Sequence, residues 1–150
     1  MAYYPAGVFA AIAESGAYTG SPILMLLGEK DDNLPVAKVE GYLGYAKATG
    51  SPAPIEAKIY PGAYHAWTVP RLTTLRFYAE YPSSKQCPFI LLGRGRPALL
   101  VDGQPAPFDP TGFGACVAKA PGYSMVYDPQ VSATSAADSM EFLRRHLLRP

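Results

Sequence analysis

The chain has 150 residues, 49% of them hydrophobic and 17% charged, which suffices for one packed domain and excludes an intrinsically disordered chain. Its formal charge of +1, with no block of Lys and Arg, offers no electrostatic basis for binding nucleic acid or an anionic membrane. No apolar run approaches the ~20 residues of a spanning helix, and MAYYPAGVFAAIAESG lacks the basic start of a signal peptide, so a cytoplasmic setting is favoured.

Residues 2–5, AYYP, read as the end of a strand that Pro5 stops, because proline cannot extend a central ladder. VFAAIAESG follows. Val8, Phe9 and Ile12 stand near helical spacing there and predict a short helix or turn, with Gly16 and Gly20 marking the loop out. From Pro22 to Leu27 every residue is apolar, a pattern that suits a strand covered on both faces, although period alone does not exclude a helix. Gly28 ends that run and the loop EKDDN begins. Pro35 suits the first turn of a helix, and Val36, Val39, Leu43 and Ala46 make one apolar stripe along it, up to a natural stop at Gly50. Ile55, Ala57 and Ile59 then alternate with Glu56, Lys58 and Tyr60, which predicts a strand near a sheet edge. Strands alternating with helices imply crossover units and a parallel sheet.

The second half is punctuated by turns. Leu72–Tyr78 has the β-branched and aromatic content of an extended segment. From Cys87, two apolar runs flank Gly93-Arg94-Gly95-Arg96-Pro97 and predict a β-hairpin, placed within an insert over about 83–120. Asp109 and Pro110 suit the cap and first residue of a helix over TGFGACVAKA, which Gly122 breaks, and Tyr123–Tyr127 reads as a short extended piece. The last helix carries the stripe Ala136, Met140, Leu143 and Leu147. Arg144, Arg145 and His146 lie in its final turn, where positive charge complements the helix dipole. Cys87 and Cys116 fit no zinc spacing and read as a pair of buried thiols, with a disulfide as the alternative if the protein is exported. Neither lies in the strand-to-helix turn a nucleophilic thiol requires.

Two loops carry candidate chemistry. Asp31 follows one apolar run and His65 follows the next, so each falls just past the C-terminal end of a strand, the edge where open α/β sheets bind ligands. A carboxylate that accepts an imidazole N–H sets the tautomer and stabilises the imidazolium formed when the ring takes a proton from a nucleophile. Asp31 is the preferred acid and Asp32 its alternate, although Asp32 or Asn33 equally suits a cap for the helix after Pro35. His146 is the weaker histidine candidate because it lies on a basic helix end. Tyr64 and Trp67 flank His65 and read as packing residues before pocket residues.

PILMLLGEKDD, a helix, and then IYPGAYHAW resemble the acid and histidine motifs of the dienelactone hydrolase family. Gly28-Glu29-Lys30-Asp31 matches that family's G-x-x-D, and Tyr60-Pro61-Gly62-Ala63-Tyr64-His65-Ala66-Trp67 matches its histidine signature. AYYP resembles the strand after the family's nucleophile helix, and SAADSMEFLRRHL its C-terminal helix, so the likeness covers roughly residues 2–67 and 123–148. It implies an α/β architecture, the C-terminal half of an α/β-hydrolase: a partial domain over 1–150 with a short parallel sheet flanked by helices. It also implies Asp31 and His65 as catalytic residues, a small-molecule ester or lactone as substrate, and no cofactor or metal.

One departure is large. The family's G-x-[SC]-x-G nucleophile elbow is absent, and Ser15 has Ala13 and Ala17 where the glycines belong. The expectation is therefore a nucleophile upstream of Met1, and a chain that self-associates or pairs with a missing N-terminal half. The competing readings are a non-catalytic half-fold that associates with another chain, and a prolyl-peptidase-like hydrolase sharing the acid and histidine order.

Overall fold

A computed structural model of the chain describes residues 2–3, 10–11, 20–48, 54–81, 83, 87, 90–92, 96–101, 104–119 and 122–147. The architecture is mixed α/β with small sheets. Strands β1 (Ala2–Tyr3), β3 (Ile23–Gly28) and β4 (Ile55–Tyr60) form a parallel sheet in the order β1-β3-β4. Helix α1 (Val36–Ala48) joins β3 to β4, whose register pairs Ile23 with Ile55 and Gly28 with Tyr60. The two strands therefore end level, and the loops that follow them start side by side.

The apolar run folds as its pattern demands. Leu24 and Leu26 point to one face of β3 and Met25 and Leu27 to the other, and all four are buried. Leu24 and Leu26 pack with Tyr60, Ala63, Trp67 and Phe142 in the main core, against which Val131 and Leu143 also lie. Completely burying a side chain such as Leu26 contributes roughly 1.5–3 kcal/mol. On α1, Val39 is buried while Val36 and Leu43 are half-buried, as expected of these three; the side chain of Ala46 and Gly50 lie outside the described residues.

Helix α3 (Pro129–Leu147) departs from its sequence pattern. Of the expected stripe of Ala136, Met140, Leu143 and Leu147, Leu143 packs against the core, but Ala136 is exposed, Met140 is 67% exposed and Leu147 71% exposed. Ser135, Ser139 and Phe142 face inward instead. Hydrogen bonding removes the penalty for burying hydroxyls. Ser139 Oγ donates to the Ser135 carbonyl at 2.7 Å and Ser135 Oγ to the Ser132 carbonyl at 3.0 Å. Ser135 Oγ also accepts the Trp67 indole N–H at 3.2 Å. Asp128 caps the helix, its Oδ1 accepting from the amides of Gln130 and Val131.

Strand β4 pairs along one side with β3, as an edge strand does, and its polar residues reach toward α3. Lys58 Nζ and the Tyr60 hydroxyl both donate to Asp138 of α3, and Arg145 donates two hydrogen bonds to Glu56. Ala57, Lys58 and Ile59 are exposed, and Tyr60 is buried.

The remaining elements correct three further expectations. Ala10–Ala11, expected in a helix or turn, form strand β2, parallel to β6 (Ile90–Leu92). The hairpin of β6 and β7 (Arg96–Val101) is present but continues into β8 (Gln104–Pro107), so the insert holds a meander in a four-stranded sheet, β2-β6-β7-β8. Its Gly93–Gly95 turn lies outside the described residues. Cys87 and Cys116 are not free thiols: they form a disulfide with Cα atoms 5.9 Å apart. The bridge lies within the insert and ties the residue ahead of its meander to helix α2 (Pro110–Lys119), which starts at the expected cap, Asp109. Strands β5 (Arg76–Tyr78) and β9 (Tyr123–Met125) form a separate antiparallel pair.

Candidate active site

Asp31 and His65 meet past the ends of β3 and β4. His65 Nδ1 lies 2.8 Å from Asp31 Oδ2, and only 4% of Asp31 is exposed. The other carboxylate oxygen, Oδ1, accepts from the backbone amides of Asn33 at 2.9 Å and Leu34 at 2.8 Å. These two bonds hold the carboxylate plane and leave Oδ2 aimed at the imidazole. Because an ionised carboxylate can only accept, Nδ1 carries the proton and the ring's basic lone pair falls on Nε2.

The two loops are laced together by backbone groups. Lys30 N donates to the Ala63 carbonyl at 2.8 Å, Glu29 N to the Tyr60 carbonyl at 3.1 Å, and Gly62 N to Glu29 Oε2 at 2.8 Å. Gly28 permits this approach, for a Cβ there would stand 2.5 Å from the Ala63 carbonyl oxygen. Gly62 turns the chain at a φ of 72°. Ala66, directly after the histidine, has a φ of 64°, a left-handed conformation that costs a residue with a Cβ about 1–3 kcal/mol. Trp67, completely buried and tied to Ser135, anchors the chain immediately beyond that strained residue.

A third segment closes the arrangement. Residues of β9 and the turn beyond it bind both loops: Val126 N donates to the His65 carbonyl at 3.2 Å, and Ser124 N donates to Asp32 Oδ1 at 2.8 Å. Asp32, the alternate acid, is thus a tie to β9. The Tyr123 ring stands edge-to-face against His65, with centroids 5.0 Å apart. Burial, reinforced by the neighbouring Tyr81 and the Asp31 carboxylate, pushes the Tyr123 phenol above the usual range, so it stays protonated at neutral pH. Tyr123 and Ser124 are site residues that sequence patterning missed. Their segment is marked only as a short extended piece far along the chain from either loop.

The other candidates fall elsewhere. His146 lies against Phe142 and 3.6 Å from Glu56, near the start of β4 and so at the opposite end of that strand from His65. Trp67 is a core residue, as its packing reading has it. Cys87 and Cys116 are joined, so neither supplies a thiolate. Ser15 lies outside the described residues. Among the described residues no group of three or more His, Cys, Asp or Glu is placed to hold a metal ion, and no helix is long and apolar enough to cross a membrane.

No protein-family model, curated protein or solved structure matches this chain.

Proposed function

We propose that Asp31 and His65 are the acid and histidine of a hydrolytic triad acting on ester or lactone bonds, on the C-terminal half of an α/β-hydrolase of dienelactone hydrolase type. The observation that carries this reading is the 2.8 Å bond from His65 Nδ1 to a buried carboxylate whose other oxygen is saturated by backbone amides. Such a pair serves one chemistry well. His65 takes the proton of an attacking hydroxyl or thiol at Nε2, Asp31 stabilises the imidazolium, and the proton then passes to the leaving alkoxide. The nucleophile is assigned to no residue here, since the chain holds no G-x-[SC]-x-G and its cysteines are joined.

The test is hydrolysis of dihydrocoumarin and p-nitrophenyl acetate by the 150-residue chain, alone and with the coding sequence upstream of Met1. The chain alone is expected to turn over weakly or not at all. The extended protein is expected to be active and to lose about 10³–10⁴-fold in kcat with Asp31→Asn, and at least as much with His65→Gln. No turnover by either form, or turnover indifferent to both substitutions, sinks the reading.

A second reading, a non-catalytic chain that associates with itself or another chain, is favoured by one observation. Met140 and Leu147 are exposed together with Ala137 along the outer face of α3. Sedimentation equilibrium distinguishes it: an oligomer lost on Met140→Glu supports association, and a monomer at all concentrations excludes self-association.

A further inference from the structure

Tyr123, whose ring stands against His65, also lines a cleft of about 410 Å³. Ala66, the strained residue next to the histidine, lines it too, as do Tyr78, Tyr81, Met125 and Arg71. The cleft therefore shares two walls with the histidine loop and β9, and its size is that of a small-molecule site. Its chemistry is aromatic. Tyr78 and Tyr81 are stacked with centroids 5.6 Å apart and planes 17° apart, and Tyr81 continues to Tyr123 at 6.3 Å. Tyr81 is still 46% exposed, so the row of rings is open to a further member.

Three tyrosines could instead cage a cation, which aromatic faces attract. Two observations oppose that ligand here. Arg71 lines the same cleft, and the Arg76 guanidinium already lies over the Tyr78 ring at 5.0 Å. Glu80 stands 4.0 Å from Arg76, but among the described residues that line the cleft none is acidic to offset Arg71. A second cation would meet like charge, whereas a flat uncharged ring meets tyrosine faces in the offset geometry that aromatic pairs prefer.

We propose that this cleft binds an uncharged aromatic ring, the aryl portion of the ester on which the Asp31–His65 pair acts. The proposal rests on the hydrolase reading only for what the ring is attached to; the binding of the ring itself does not depend on turnover. Binding is therefore measured directly, by calorimetric titration of the 150-residue chain with 2-naphthol and with its saturated counterpart, decahydro-2-naphthol.

The aromatic probe is expected to bind about tenfold more tightly, the preference that ring stacking supplies. Tyr81→Leu, which keeps apolar bulk at a part-exposed position, is expected to abolish the preference, and Tyr81→Phe to retain it. Equal affinity for the two probes, or a preference that survives Tyr81→Leu, overturns the proposal. Esterase activity with no aryl preference overturns it while sparing the hydrolase reading. Aryl preference in a protein that hydrolyses no ester overturns the hydrolase reading and leaves the ring site standing.

Discussion

Asp32 and Ser124 are joined by two hydrogen bonds across 92 residues of chain, from the Ser124 amide at 2.8 Å and from its hydroxyl at 3.3 Å. The neighbouring carboxylate of Asp31 goes to His65. Two adjacent acids thus divide the work. One faces the imidazole, and the other binds β9, whose following residue Val126 holds the His65 carbonyl. Hydrogen bonds join the acid loop, the histidine loop and β9 in a closed circuit.

Breaking that circuit at Asp32 gives the first prediction. Hydrogen bonds to a charged acceptor contribute about 1.5–3 kcal/mol, so Asp32→Ala should lower stability by about that amount in urea unfolding. Asp32→Asn keeps an oxygen for the Ser124 amide and should lose less than half as much. Amide exchange of residues 122–126 should accelerate in the alanine variant. Unchanged exchange there would separate Asp32 from the placement of β9.

The approach of the two loops makes the second. At Gly28→Ala the new methyl meets the Ala63 carbonyl oxygen at 2.5 Å and the Trp67 ring at 3.2 Å. One obstacle is backbone and the other a buried indole, so neither yields without moving the histidine loop. The expected loss is about 1–3 kcal/mol, the usual cost of overpacking. The Asp31–His65 bond should lengthen with it, visible as a downfield imidazole N–H proton resonance that weakens or disappears. A variant of native stability with that resonance intact would show that the loops tolerate greater separation.

Acid titration supplies the third. The hydrogen bond from Lys58, with that from Tyr60, holds the Asp138 carboxyl below its ordinary 3.8, although burial opposes the shift. A depressed folded-state pKa contributes stability that is complete above the unfolded value and is lost as pH falls through the folded one. Asp138→Asn should therefore be less stable than the parent at neutral pH, and the gap should close as pH drops below about 4. Lys58 is 44% exposed at its side chain, so the gap should also shrink in high salt. A gap that widens on acidification would reverse the sign and exclude this origin.

The disulfide gives the fourth. Cys87 and Cys116 enclose a sequence separation of 29 residues, for which loop-closure entropy stabilises by about 3–4 kcal/mol. Reduction, or the double substitution Cys87→Ala with Cys116→Ala, should lower stability by about that much. Alkylation followed by mass measurement should label neither cysteine until a reductant is added. Labelling of the unreduced, denatured chain would disprove the bridge.

Some of this protein is written locally in its sequence. β3 is legible because every residue from Ile23 to Leu27 is apolar and the run, bounded by Pro22 and Gly28, is of strand length. The placement of Asp31 and His65 is legible because each follows a strand end within a few residues, so strand register alone brings their loops together. Cap and helix at Asp109–Pro110 are likewise set by neighbours in the chain. Other features depend on which surfaces meet. The inward face of α3 carries serines that satisfy their own hydroxyls beside Phe142 and Leu143, so hydrophobicity alone misplaces Met140 and Leu147. The polar residues of β4 bond to α3 because Asp138 and Arg145 lie opposite them, a fact absent from the alternation of its residues. The pairing of Cys87 with Cys116, the tie from Asp32 to Ser124, and the tyrosine row beside His65 join segments far apart in the chain. No periodicity records such contacts, and only the packed structure decides them, because each arises from a distance in space that chain order leaves free.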